Sequence, residues 1–181
     1  MNDQEIKEWI KTLEQGKFVE KMVASKALKK VSETEPETLV PYYPAFLKIL
    51  ADKNVKVAWA TFFMLTPMAV FKPAMAFDNL GLFAQIADGE SVIARDQYVK
   101  ILTELATHEK YKDTCLTLLL DEVLKAPVNQ LPSYAKSATS VIDQEHAATL
   151  KDLIISRLPE VEDYPPKTKK LQQLLKQLNK L

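Results

Sequence analysis

The chain has 181 residues, enough for one domain with a substantial core, and its 24 lysines and arginines balance 24 acids to a net charge of zero. That balance excludes a protein whose whole surface would draw nucleic acid or anionic lipid, and leaves room only for a local basic patch. A single cysteine, Cys115, rules out an internal disulfide and a thiolate metal centre and fits a reducing, cytoplasmic setting.

Glycine is scarce and apolar residues recur at spacings of three and four, so the fold class is all-α. The first residues, MNDQEIKEW, lack the basic and apolar regions of a secretory signal. The first helix is expected over Asp3 to Gln15, with Ile6, Trp9, Ile10 and Leu13 on one stripe and Gly16 as its stop. The second runs over Phe18 to Ser32. Thr34-Glu35-Pro36-Glu37 has the spacing of a capping box and opens a helix, bent by Pro41 and Pro44, that ends near Asp52. The next begins near Asn54 and meets Pro67. The near-apolar run from Val57 to Phe71 is broken by Thr61, Thr66 and Pro67 and falls short of the roughly 20 residues that span a bilayer, so no membrane segment is expected.

Further helices are expected over Pro73 to Ala87, Ser91 to Thr107 and Lys110 to Lys125. The stretch from Ala126 to Pro132 leads into a helix over Ser133 to Ile142, and Asp143 is placed to cap the one that follows, to about Leu158. Pro159 to Pro166 reads as a linker, and Lys167 to Leu181 as a last amphipathic helix. Its face of Leu171, Leu174, Leu175, Leu178 and Leu181 suits a cap that seals a helical stack, a segment for a partner's groove, or a membrane-surface helix.

Leu47 to Ala60 (LKILADKNVKVAWA) is echoed by Phe83 to Asp96 (FAQIADGESVIARD). Ala51-Asp52 recurs as Ala87-Asp88, Ala58 as Ala94, Leu50 as Ile86 and Val57 as Ile93. Val23-Ala24-x-x-Ala27-Leu28-x-x-Val31 and Tyr134-Ala135-x-x-Ala138 look like two further copies of the first helix. This pattern resembles the HEAT-repeat family, within the wider HEAT/armadillo-like group, and covers most of Lys17 to Leu158. The resemblance implies one right-handed α-solenoid domain over 1–181. It would hold an N-terminal helix (1–16), about four helix pairs (17–158), a linker (159–166) and a C-terminal capping helix (167–181). Asp52 and Asp88 match the family's turn aspartate, while Ala58 and Ala94 stand where a basic residue is frequent.

Superposing the four copies gives a common core stripe: Val23, Ala24, Ala27, Leu28 and Val31; then Val57, Ala58, Thr61, Phe62 and Leu65; then Ile93, Ala94, Gln97, Tyr98 and Ile101; then Tyr134, Ala135, Ala138 and Ile142. The opposite stripe is Ser25, Lys26, Lys29 and Lys30 in the first copy and Arg95, Asp96, Val99 and Lys100 in the third. In the second it is Trp59, Ala60, Phe63 and Met64, so that helix is apolar on both sides. An exposed cluster of this kind marks a contact site unless the first or last helix of the same chain covers it.

Chemistry has no comparable signature. Cys115 lies among Leu116, Leu118, Leu119 and Leu120, as a buried filler would. His108 and His146 read as helix-end or surface residues, and Asp121-Glu122 and Glu160, Glu162 and Asp163 as solvated charge. No metal-ligand spacing, phosphate loop or nucleophile motif occurs, so neither catalytic residues, metal nor cofactor is expected. The leading expectation is a non-enzymatic interaction or scaffold module that binds a protein partner through Trp59, Phe63, Met64 and Arg95. The alternative is a nucleic-acid-binding HEAT-like protein related to the DNA alkylation-repair glycosylases, using Lys26, Lys29, Lys30, Arg95, Lys100 and Lys136.

Overall fold

The computed structural model describes residues 1–52, 54–89 and 91–180. Among the described residues every regular element is helical. The chain divides into two compact units, Met1–Tyr98 and Val99–Leu181, each with its own buried residues.

Unit 1 holds α1 (Asp3–Gln15), α2 (Phe18–Thr34), a 3-10 segment (Pro36–Tyr42), α3 (Tyr43–Leu50), α4 (Val55–Met68), α5 (Pro73–Asp78), α6 (Leu80–Ala87) and the first residues of α7 (Val92–Leu105). Helix α1 starts on a capping box: the Asn2 side chain accepts from the Glu5 amide and the Glu5 carboxylate accepts from the Asn2 amide. Its buried stripe is Ile6, Ile10 and Leu13, as the spacing requires, and Trp9 stays half-buried. Gly16 ends it in an extended conformation, where a Cβ would lie 2.6 Å from the Thr12 carbonyl oxygen. Helix α1 packs along α2 and α3 along α4; α2 also packs on α4, and α1 meets α3.

Two expectations in unit 1 are corrected. The Thr34 hydroxyl donates to the Lys30 carbonyl at 3.0 Å and caps nothing downstream, because Thr34 is still inside α2. The chain beyond it turns as a 3-10 segment, and α3 begins only at Tyr43 with Pro44 in its first turn. The helix expected over Pro73 to Ala87 is two helices broken at Asn79, whose side-chain amide donates to the Met75 carbonyl at 2.8 Å and so holds the end of α5.

The turn between α3 and α4 is fixed by Asp52. One carboxylate oxygen accepts from the Asn54 amide at 2.8 Å, the other meets the Lys21 ammonium of α2 at 2.6 Å, and Asn54 in turn caps α4 by accepting from the Lys56 amide. Lys21 and Asp52 are both largely screened from water, at 14% and 21% side-chain exposure. That ion pair ties α2 to the turn that launches α4.

Unit 2 holds α8 (Glu109–Lys125), α9 (Leu131–Val141), α10 (Gln144–Arg157) and α11 (Pro165–Leu178). Helix α8 packs on α9 and α10, and α11 lies on α9 and α10. Asp143 caps α10 as expected, accepting from the His146 amide at 3.0 Å. The Arg157 guanidinium donates to the carbonyls of Val123 and Leu124 at 2.9 and 3.1 Å, satisfying the open end of α8, and also grips Glu160. The residues read as a linker are therefore a folded corner. Leu158–Val161 forms a 3-10 turn, Val161 is fully buried, and its carbonyl accepts from the Thr168 hydroxyl at 2.7 Å. Leu171, Leu174 and Leu178 of α11 are buried and Leu175 half-buried; Leu181 lies outside the described residues.

The Lys21 ammonium holds the Asp52 carboxyl below the usual carboxylate range. Its stabilisation is therefore complete above the unfolded-chain value and is lost as pH falls through the lowered folded one. Lys21→Met is expected to cost about 1–2 kcal/mol at neutral pH, with a deficit that shrinks as acid protonates Asp52, measured by urea unfolding of both proteins across pH.

Candidate functional site

Helix α4 carries the site. Val57, Ala58, Thr61, Phe62, Met64, Leu65 and Met68 are buried, Phe62 against Phe83 of α6 at 5.2 Å between ring centroids. Among the residues the core does not take are Trp59, Ala60 and Phe63, each half-buried. These three line a groove of about 480 Å³ with Met22, Ser25, Lys26 and Lys29 of α2, Lys56 of α4 and Ile93 of α7. Trp59 stands between this groove and a second hollow of about 740 Å³, whose apolar lining includes Leu50, Val55, Leu82 and Ile86. The indole thus forms a wall shared by two depressions.

The four residues expected to make a contact site separate. Trp59 and Phe63 are brought together. Met64 is corrected into the core: it has no exposed surface, because successive helix positions turn by about 100° and Met64 falls beside Thr61 and Leu65 on the buried arc. Arg95 is half-buried and faces Asp88 at 3.9 Å, and it is not among the groove's lining residues.

The core stripe is also rotated. Val23 and Ile93, expected inside, are 53% and 44% exposed. Ser25, Gln97 and Val99, of which Ser25 and Val99 were expected outside, are buried. In α2 the buried set is Ala24, Ser25, Leu28, Val31 and Ser32, because α1 and α4 flank it and cover a wide arc. Ser25 and Ser32 are tolerated there because their hydroxyls donate to the Met22 and Lys29 carbonyls at 2.9 and 2.8 Å. Met22, Lys56 and Ile93 are the groove residues that stripe matching misses. The available signal was the serines of α2, small enough for a close helix contact.

The groove is positive at its rim. Lys29 sets its ammonium 4.4 Å from the centre of the Phe63 ring and 3.6 Å from the Glu33 carboxylate. Within unit 1 the first helix does not line this groove; Trp9 lines a different hollow with Val19 and Val23.

Elsewhere, Cys115 is fully enclosed and burial pushes its thiol up to about 11, as suits a core filler and not a nucleophile. His108 precedes α8 and His146 sits in the first turn of α10, helix-end positions as expected. His146 holds the Asp143 carboxyl below the usual carboxylate range. Glu160 pairs with Arg157, and Asp121 with Lys125 at 2.5 Å. Glu122 departs from expectation: it is buried on the face of α8 that also buries Leu119 and Val123. The described residues contain no cluster of three or more histidine, cysteine or carboxylate ligands, and no helix long and apolar enough to cross a membrane.

The rotated stripe has a direct consequence for stability. Met64→Ala is expected to cost about 2–5 kcal/mol, whereas Val23→Ser and Ile93→Ser each change stability by less than about 0.5 kcal/mol, all read from chemical unfolding midpoints. The reverse ranking would restore the stripe expected from the repeat. No family model matches the chain, and neither a curated protein nor a solved structure shows significant similarity to it.

Proposed function

We propose that the chain is a non-enzymatic protein–protein interaction module, a HEAT-like right-handed α-solenoid that binds its partner in the cytoplasm through the groove around Trp59 and Phe63. The architectural part is supported by the pairing in unit 1. A hairpin of α1 and α2 beside a hairpin of α3 and α4, with α2 against α4 and α1 against α3, is the contact pattern of stacked helix pairs. The functional part rests on one observation: the groove of about 480 Å³ sets two half-buried aromatic rings beside the exposed Ile93. Partially buried aromatics in a recess are the surface elements that contribute most when a partner seals them from water. Arg95, turned to Asp88, serves the turn before α7 and has no direct part in this reading.

A second reading, nucleic-acid binding, is favoured by a different observation. In unit 2, Lys136, Lys167 and Lys170 line one groove of about 570 Å³ with Asn129, Gln173 and Gln177 and no carboxylate. Lys167 is already held there by the Asn129 side chain at 2.5 Å and lies over the Tyr164 ring. Clustered lysines are what phosphate contacts require.

Two measurements follow. Tagged wild type, Ile93→Asp and Trp59→Ala are each used to capture proteins from an extract of the source cells, with circular dichroism confirming the fold. The proposal expects a specific protein to be retained by wild type and lost with both variants; identical recovery by all three would refute it. For the second reading, fluorescence anisotropy with a labelled DNA duplex at low salt is the test. Binding that falls steeply with salt and is lost in Lys136→Glu/Lys170→Glu would establish it, and no binding at low salt would remove it.

A further inference from the structure

We propose that the groove of unit 1 receives an acidic amphipathic helix from a partner protein. Its apolar side chains would seat against Trp59, Phe63 and Ile93, and its carboxylates would reach Lys26 and Lys56. This rests on the interaction reading above and adds the chemistry of the occupant.

Charge selects the partner. Three lysines, Lys26, Lys29 and Lys56, line the groove, and no carboxylate does. Lys29 is compensated by the Phe63 ring and by Glu33. Lys26 and Lys56 are not: among the described residues no ion pair engages either of them. Lys56 lies in the first turn of α4, at the positive end of that helix's dipole, where a cation is unfavourable and an anion is welcome. The nearest acid in sequence, Asp52, is already held by Lys21 and by the Asn54 amide. The groove therefore presents a local positive field on a chain of zero net charge, and its floor is apolar.

Shape selects a helix. The floor is drawn from three helices, α2, α4 and α7, and its volume suits a row of a few side chains. A helix offers such a row at positions i, i+3 or i+4, and i+7, with its acids on the flanks. A bilayer fits less well, because membrane anchors must project and these rings are recessed. Single-stranded nucleic acid fits less well, because successive bases stack on ring faces and Lys29 already lies over one face of Phe63.

The test uses the full chain and labelled helical peptides of about four turns. One has a Leu/Phe stripe flanked by Glu, a second carries Lys in place of Glu, and a third keeps Glu but replaces the stripe by Ser. Phosphatidylserine-containing vesicles and a single-stranded oligonucleotide complete the probes. The acidic amphipathic peptide is expected to bind and the other two peptides not. Lys26→Glu/Lys56→Glu is expected to weaken it about tenfold and to gain affinity for the lysine peptide, with the fold unchanged by circular dichroism. Equal binding of the acidic peptide by that double variant overturns the proposal, as does lysine-dependent binding of vesicles or oligonucleotide in its place. Preference of wild type for the lysine peptide, abolished by Ile93→Asp, removes the acidic occupant and keeps the interaction reading. If Ile93→Asp alters binding of no probe, both are lost.

Discussion

Helix α2 is clasped between α1 and α4, and most of the side chains it buries there are small: Ala24, Ser25 and Ser32 beside Leu28 and Val31. On α4, Ala58 and Thr61 are buried in the same manner, the Thr61 hydroxyl donating to the Val57 carbonyl at 2.9 Å. Small side chains let helix axes approach, and hydroxyls turned onto their own helix enter the interior without an orphaned donor. The bulk of α4 is then directed elsewhere. Phe62, Met64, Leu65 and Met68 enter the core, and Trp59 and Phe63 are left at the edge of the contact, facing the groove. The groove thus lies along the contact of α2 with α4.

The electrostatics follow from the same contact. Lys21 and Asp52 close the turn between α3 and α4 with a largely shielded ion pair, and Asn54 continues it as the cap of α4. This consumes the local acid. Lys26, one turn and a half further along α2, and Lys56, just inside α4, are left flanking the aromatic floor, engaged in no ion pair among the described residues. Stability of the turn and the positive character of the groove therefore have a common origin. A protein with zero net charge can carry a selective field when its acids are engaged elsewhere in this way.

The helices were legible in the sequence where caps and spacing agree: α1 begins and ends where expected, α4 starts after Asn54, and Asp143 caps α10. Trp59 and Phe63 were legible too, since their helix is apolar on both sides. Phase was not. Aligning Val23, Val57 and Ile93 as equivalent repeat positions assumes equivalent neighbours, yet Val57 is fully buried while the other two are exposed. A repeat pattern cannot say how wide an arc each helix loses to its flanking helices, and that width moved Met64 and Ser25 inward and Ile93 outward. Proline-rich composition likewise misread residues 159–166. Val161 anchors that corner through burial, and Arg157 through carbonyls more than thirty residues earlier, contacts that local composition does not encode.

The central claim is that Trp59 forms the wall of an open, apolar groove in unit 1. Acrylamide quenching of tryptophan fluorescence in a Trp9→Phe protein reports on that indole alone. The account predicts quenching intermediate between a free and a fully enclosed indole, and a clear change when Ile93 across the groove is replaced by Asp. Fluorescence that resists acrylamide and ignores the Ile93 substitution would mean that the indole is sealed into a core, and would contradict it.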